Sequence, residues 1–147
     1  MGQAAEQSDL TTNFLLSGVG GQGTLLAADV VALVGIELGL EAKKSEIHGM
    51  AQRGGSVVSQ VRWGRRVHSP IIRAGGADVL VAFERLEALR YADQIRPGGI
   101  LLVNDYAIVP ISVTSGNGTY PTSEQESAVY AGHFRVYRIP SGVRMVK

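Results

Sequence analysis

The sequence predicts an α/β protein, a three-layer Rossmann-like domain built on a largely parallel, mixed sheet. Three observations predict it: a short apolar run that ends in a glycine-rich turn, a helical segment directly after that turn, and a second strand-then-helix pair later in the chain. Strands that alternate with helices are typical of sheets covered by helices on both faces. The chain has 147 residues, of which 45% are hydrophobic and 18% charged, which is enough for one domain with a substantial core.

The first predicted unit is a strand, a turn and a helix. Phe14–Ser17 is a short apolar run bounded by glycines, which favours a buried strand. Thr24–Leu38 carries apolar residues at helical spacing, and Gly39 is a predicted C-terminal stop. Because this helix is apolar nearly all round, we expect it to be covered on more than one side. Leu40–Glu46 is the next predicted strand.

The middle of the chain repeats this order. Ser56–Trp63 alternates in the manner of a strand. Asp78–Phe83 predicts a buried strand with a helix after it, and Pro97-Gly98-Gly99 ends that helix before the apolar strand Ile100–Val103. The order β-α-β-β-β-α-β favours a three-layer domain.

The last third carries weaker signals. Ile108–Val113 is extended but contains a proline, so it predicts an edge strand or a loop. Ser123 and Glu126 match a capping box that opens a short helix. His133–Ile139 predicts a final strand.

Composition and motifs exclude several functions. The chain has no cysteine, which excludes a disulfide, a thiolate-bound iron–sulfur cluster, a cysteine zinc site and a cysteine nucleophile. No histidine pair or carboxylate cluster has the spacing of a metal site. The net charge of +1 without a long basic run does not favour nucleic acid as a partner.

The absence of a long apolar stretch predicts that no segment spans a membrane, and the polar start lacks the core of a signal peptide. We therefore expect a cytoplasmic protein. We expect residues 1–12 to be a flexible leader and residues 13–147 to form the one domain.

A glycine-rich motif follows the first predicted strand. Gly18, Gly20 and Gly23 match G-x-G-x-x-G, with Gly21 and Gln22 between them. Glycines permit a tight turn, and the N-terminus of the following helix can hold a phosphate, a carboxylate or an acidic side chain of another chain. A dinucleotide site also needs an acid at the end of the second strand, and the acids there are no clean match. An anion site and simple close packing of strand and helix both remain open.

The second motif is Ile-His-Gly-Met-Ala-Gln-Arg-Gly-Gly, at residues 47–55. Arg53 can bind a carboxylate or phosphate in a forked geometry, or it can satisfy loop carbonyls. His48 can transfer protons because its ordinary pKa lies near neutrality, or it can act as a hydrogen-bonded positioner. The remaining predicted binding residues of this motif are Gln52, Gly54 and Gly55.

Residues 18–23 and 43–59 together closely resemble the gamma-type domain of 2-oxoacid:ferredoxin oxidoreductases. The resemblance runs from about Asn13 to Ile139, with shorter matches at 69–71, 77–80, 86–91, 97–99 and 113–116. The His-Gly-Met-Ala-Gln-Arg-Gly-Gly form is similar to the small (beta) subunit of the indolepyruvate branch. Most other branches carry a tyrosine-glycine and an acidic or polar variant before Arg-Gly-Gly.

The resemblance implies CoA-dependent oxidative decarboxylation of indolepyruvate or another arylpyruvate, with electrons passed to ferredoxin. It implies a large (alpha) subunit that carries thiamine diphosphate and the iron–sulfur clusters. This chain would bind no cofactor alone, would complete the active site beside CoA, and would be inactive when isolated. No nucleic-acid or membrane partner is expected.

Two alternatives stay open: another substrate within the family (pyruvate or 2-oxoglutarate), or a stand-alone nucleotide- or CoA-binding module. Subunits of the family usually continue for several tens of residues beyond the position of Lys147. The resemblance therefore leaves open a C-terminal truncation, a fragment or a natural short form.

Overall fold

A six-stranded mixed sheet forms the centre of the fold, and the computed structural model describes residues 10–48 and 55–141. The strands are β1 (Thr12–Val19), β2 (Glu41–His48), β3 (Ser56–Gly64), β4 (Ala77–Ala82), β5 (Ile95–Asp105) and β6 (Arg135–Pro140). Their order across the sheet is β2-β3-β1-β4-β5-β6. Strands β1, β4, β5 and β6 run parallel, whereas β3 is antiparallel to both β1 and β2. The predicted mixed, largely parallel sheet is confirmed.

Helices cover both faces of this sheet, as the prediction of three layers requires. They are α1 (Thr24–Glu37), α2 (Arg85–Tyr91), which continues as a 3-10 turn over Ala92–Gln94, α3 (Ile111–Thr114) and α4 (Ser123–Tyr130). Side chains of β1 alternate between the faces. Leu16 packs in a cluster with Ala28 of α1, and Leu15 packs on the opposite face in a cluster with Ala88 of α2.

Helix α1 approaches the sheet through its small residues. Ala28 is fully buried, and a Cβ added at Gly35 would lie only 2.5 Å from Cδ1 and Nε1 of Trp63. The opposite face carries the large apolar side chains that form the helical pattern in the sequence. These side chains are exposed: Leu26, Val30, Leu33, Val34 and Leu38. The expectation that α1 is covered on more than one side is therefore not met within the described residues, because close helix–sheet packing selects the small side chains.

Several secondary-structure boundaries differ between the prediction and the structure. The segment predicted as an edge strand or loop contains the short helix α3, which begins directly after Pro110, a residue whose fixed φ suits a helix start. Strand β5 begins at Ile95, before the predicted proline-glycine break, and carries a register irregularity there. Gly39, at φ +76°, ends α1 as predicted. Residues 1–9 of the predicted leader lie outside the described residues.

The capping box of α4 lies one residue earlier than predicted. Thr122 is the N-cap; its amide donates to the Gln125 side chain at 2.9 Å, and the Gln125 amide donates to the Thr122 hydroxyl at 3.3 Å. Glu126, the predicted partner, is instead buried and bound to Arg85.

Replacing Gly35 with alanine should destabilise the protein. Alanine improves helix propensity by about 1 kcal/mol, but overpacking against the Trp63 ring costs about 1–3 kcal/mol, so the clash prevails. Urea unfolding followed by far-ultraviolet circular dichroism measures the difference. Leu33→Ala, on the exposed face of the same helix, is the control and should change stability little. A Gly35→Ala chain that is as stable as the unsubstituted one would contradict the packing described here.

Candidate functional site

The two sequence motifs meet at one edge of the sheet. Val57 of β3 pairs with Gly18 of β1 on one side and with His48 of β2 on the other. Since neighbouring strands lie about 4.8 Å apart, the backbones of Gly18 and His48 are roughly 10 Å apart. The carboxyl ends of β1 and β2 and the start of β3 thus form one edge, which we call the glycine edge (residues 18–23, 48 and 55–57).

Three of the four glycines in the first motif are explained by backbone conformation or by space. Gly21 and Gly23 have φ values of +94° and +86°, a left-handed conformation that glycine adopts without strain. Gly23 is the N-cap of α1. At Gly18 the reason is space, because a Cβ there would lie 2.4 Å from the hydroxyl oxygen of Thr24.

Gln22 ties the turn to the neighbouring strand. Its side-chain oxygen accepts a hydrogen bond from the Val19 amide at 2.8 Å, and its amide nitrogen donates to the Phe83 carbonyl at 3.0 Å. The side chain of Asn104 donates to the same carbonyl at 3.2 Å. The amide of Gln22 is therefore engaged inside the chain, and it links the ends of β1 and β4.

A direct contact joins the first motif to the second. The Gly20 amide donates to the Gly55 carbonyl at 2.9 Å. Of the second motif the structure describes His48 as the end of β2 and Gly55 as the residue before β3. Three predicted site residues lie outside the described residues: Gln52, Arg53 and Gly54.

A polar cluster around the buried Glu87, beside the glycine edge, was missed by the sequence reasoning. The Ser56 hydroxyl donates to Glu87 Oε2 at 2.5 Å and lies 3.2 Å from the Tyr91 hydroxyl. Arg90 pairs with the other oxygen of Glu87 at 2.9 Å. Glu87 stands between apolar residues in the helix sequence, and its partner Ser56 is far away along the chain, so spacing alone gives no signal of the contact.

Burial governs the electrostatics of Glu87. The residue is only 3% exposed, and its desolvation raises the pKa of the carboxyl above the ordinary value. The Ser56 hydroxyl and the Arg90 guanidinium lower this pKa, and the nearby Glu84 raises it, with burial the largest of these effects.

Glu84 anchors the start of α2. Its Oε2 accepts a hydrogen bond from the Glu87 amide at 3.0 Å, so it caps the helix. Its Oε1 accepts from the Ile108 amide at 3.0 Å and from the Tyr120 hydroxyl. Burial, followed by this hydrogen bond, raises the pKa of Tyr120. These contacts fix the chain that follows β5 against the end of β4.

A third buried acid holds α4 to the same edge of the sheet. Glu126 is fully buried and accepts hydrogen bonds from Arg85, with Nε at 2.8 Å. Arg138 of β6 also reaches it, at 3.4 Å. Two guanidinium groups thus offset the cost of burying one carboxylate.

The start of α1 can accept an anion. Gly23 caps it without a side-chain hydrogen bond, and its first turn has no acidic residue. By contrast α2 and α4 have acidic residues in their first turns. Thr24, in the first turn of α1, has a buried hydroxyl with no hydrogen-bond partner. A helix start of this kind attracts phosphate or carboxylate.

The arrangement does not fit a dinucleotide site. In dinucleotide-binding folds the second strand lies beside the first and its terminal acid binds the ribose. Here β3 separates β2 from β1 and runs antiparallel to both. An acid at the end of β2 would therefore lie roughly two strand spacings, or about 10 Å, from the glycine turn.

A cavity of about 290 Å³ lies on the α2 side of the sheet. It is lined by Leu15, Ile47, Val58, Gln60, Ile72, Arg90, Tyr91, Asp93 and Gln94. Its floor is apolar, and Arg90 and Tyr91 connect it to the polar cluster of Ser56 and Glu87. Within the described ranges no group of three or more histidine, aspartate or glutamate residues is placed to hold a metal ion.

Solved structures of other proteins share this fold. Pyruvate oxidoreductase subunit PORC of Thermotoga maritima superposes with a TM-score of 0.61 at 18% identity, over 88% of this chain and 61% of that one. The gamma subunit of a keto/oxoacid ferredoxin oxidoreductase of Geobacter sulfurreducens gives 0.56 at 24% identity, over 86% and 60%. These likenesses show that this chain shares the fold of those two subunits.

The family follows from sequence. The profile of the pyruvate ferredoxin/flavodoxin oxidoreductase family matches residues 13–142, and the chain belongs to this family. The indolepyruvate oxidoreductase subunit IorB of Archaeoglobus fulgidus is 44% identical over 113 residues, which are 77% of this chain and 56% of that protein. Its counterpart from Thermococcus kodakarensis is 38% identical over 122 residues, which are 83% and 60%. The chain thus spans about 60% of the length of these curated relatives.

The resemblance seen in the two motifs is therefore confirmed.

Among the described helices, none has the length and apolar character needed to cross a membrane.

Gly18 and Thr24 should be energetically coupled. Gly18→Ala places a methyl group against the Thr24 hydroxyl and should cost about 1–3 kcal/mol of stability. Thr24→Ala removes the obstructing atom, so the double variant should lose less than the sum of the single losses. Urea unfolding of the four chains measures the coupling, and strict additivity would contradict the predicted contact.

The raised pKa of Glu87 predicts an unusual pH dependence. The folded chain holds this proton at pH values where the unfolded chain has released it, so stability should fall as pH rises above 4.5, through the raised folded pKa. The slope contributed by one group is at most about 1.4 kcal/mol per pH unit. Glu87→Gln should remove this contribution from unfolding curves collected between pH 4 and pH 8, a range of roughly four units around the shift. The exposed Glu37→Gln is the control, and equal slopes in all three chains would contradict the assignment.

Proposed function

We propose that this chain acts as the small subunit of a cytoplasmic indolepyruvate-type 2-oxoacid:ferredoxin oxidoreductase. One observation carries the proposal: identities of 36–44% with four curated relatives, each named as subunit IorB of indolepyruvate oxidoreductase. The proposed complex oxidatively decarboxylates an aromatic 2-oxoacid to an acyl-CoA, releases carbon dioxide and passes two electrons to ferredoxin.

The proposed partner is a large (alpha) subunit that carries thiamine diphosphate and the iron–sulfur clusters. The composition supports this division, because a chain without cysteine offers no thiolate for a cluster. Ferredoxin would then be reduced by the partner and not by this chain. The small subunit would contribute shape, charge and hydrogen-bond donors.

The glycine edge is the proposed contribution of this chain to the active site. The start of α1 would bind a phosphate of CoA or an acidic group of the partner, through the backbone N–H groups of the first turn of this helix. The uncapped, acid-free first turn supports this role. Thr24 adds a buried hydroxyl that has no partner within the described residues.

Arg53 is the proposed anion-binding side chain of the second motif, toward the substrate carboxylate or a CoA phosphate. His48 is the proposed proton-transfer or positioning residue at the end of β2. Gln52, Gly54 and Gly55 complete this set. Gly55 supports it directly, since its carbonyl binds the Gly20 amide of the first motif.

Reconstitution tests the proposal. The large subunit is assayed for viologen reduction by indolepyruvate and CoA, with and without this chain. We expect a rate only when both chains are present. Pyruvate and 2-oxoglutarate, assayed in parallel, test the alternative substrates. Calorimetry of the isolated chain with CoA, NAD and ATP tests the alternative of a stand-alone binding module, which would bind a ligand unaided.

Arg53→Ala should lower kcat/KM of the reconstituted enzyme by about 100-fold, because one charge-assisted contact to an anion is lost from the reacting complex. Arg65→Ala, at an exposed position in the turn after β3, is the matched control and should leave kcat/KM unchanged. Equal kcat/KM for Arg53→Ala and Arg65→Ala would remove Arg53 from the proposed site.

A further inference from the structure

The glycine turn is held from two sides by other segments. On one side, the Gly20 amide donates to the Gly55 carbonyl at 2.9 Å. On the other, the Gln22 side chain donates to the Phe83 carbonyl at 3.0 Å. Phe83 immediately precedes the cap of α2, so the turn is connected to both the start of β3 and the start of α2.

A third hydrogen bond closes this ring. Glu87, in the first turn of α2, accepts a hydrogen bond from the hydroxyl of Ser56, the first residue of β3, at 2.5 Å. The two residues are 31 positions apart along the chain. The turn, the start of β3 and the start of α2 are thus joined pairwise, each through one hydrogen bond.

The position of a carboxylate in this ring needs an explanation. Burying a charged group is unfavourable unless partners compensate it, and an apolar side chain of similar volume often stabilises a core equally well. Glu87 is 3% exposed, and its two oxygens are used by Ser56 and Arg90. What the carboxylate provides that a leucine would not is a fixed acceptor for the Ser56 hydroxyl.

We propose that Glu87 is a positioning residue of the glycine edge. By holding the Ser56 hydroxyl it fixes the peptide unit between Gly55 and Ser56, and the Gly55 carbonyl then stays in line with the Gly20 amide. Glu87 therefore sets the distance between the glycine turn and the start of β3 without touching a substrate. Its consequence for catalysis rests on the proposed function, whereas its consequence for the geometry of the edge does not.

Amide hydrogen exchange, followed by nuclear magnetic resonance on the full chain, tests the geometry. In Ser56→Ala and Glu87→Ala the Gly20 amide should exchange about tenfold faster or more, since the hydrogen bond that holds its acceptor, the Gly55 carbonyl, in place is lost. The amides of Leu80 and Leu101, in the centre of the sheet, should keep their rates. Glu37→Ala, an exposed glutamate on α1, is the control and should change none of these rates.

Ser56→Ala is the decisive variant, because it breaks the same contact without deleting a buried acid and is informative even where Glu87→Ala does not fold. Ser56→Thr keeps the hydroxyl and should retain the protection of Gly20. An unchanged Gly20 rate in Ser56→Ala overturns the proposal. Equal acceleration at Gly20, Leu80 and Leu101 also overturns it, since that pattern means general destabilisation.

The reconstituted enzyme gives the second readout. Ser56→Ala should lower kcat/KM there by about tenfold, matching the exchange effect, and Ser56→Thr should restore it. Failure of the unsubstituted chain to support any activity would remove the proposed function but leave the exchange result intact. An unchanged Gly20 rate in Ser56→Ala would remove the positioning role whatever the activity of the complex.

Discussion

The direction of β3 is the constraint on which the candidate site depends. Strands β1 and β2 both end at the glycine edge. Because β3 is inserted between them and runs antiparallel to both, its first residues lie at the same edge as the last residues of β1 and β2. The connection from His48 to Gly55 begins and ends at that edge. One reversed strand therefore brings two distant motifs together.

Three buried acids lie on the side of the sheet where the parallel strands end, and the burial of each is compensated differently. Glu84 accepts backbone amides and a tyrosine hydroxyl, Glu126 accepts from arginines, and Glu87 accepts a serine hydroxyl while pairing with Arg90. Hydrogen bonds to buried carboxylates are strong but costly to leave unmade. The edge is consequently defined by contacts that tolerate few alternative geometries. By contrast, the apolar side chains on the outer face of α1 are exposed to solvent.

Secondary-structure elements that depend on interactions between residues close in the sequence were predictable from the sequence. The strand, turn and helix from Phe14 to Gly39 were predictable because glycine conformations and apolar runs act over a few residues. The cap of α4 was predicted one residue late, since Thr122 and Ser123 are both good N-caps and only the Gln125 reciprocal bond distinguishes them. The packed face of α1 was not predictable from bulk, because its contact depends on small residues such as Gly35 and on the Trp63 ring opposite.

The polar cluster at Ser56 and Glu87 was not predictable because its members meet only after the sheet has formed. The family membership connects this cluster with the proposed active site. In the proposed function, this chain would contribute to oxidoreductase chemistry through the placement of its backbone and side-chain groups. Backbone donors stabilise charge well only when they are fixed before the charge arrives, since ordering them later costs free energy. At the proposed site, the Ser56 hydroxyl and the buried Glu87 would fix the glycine edge without touching the substrate, so a serine and a glutamate would serve the function of backbone donors.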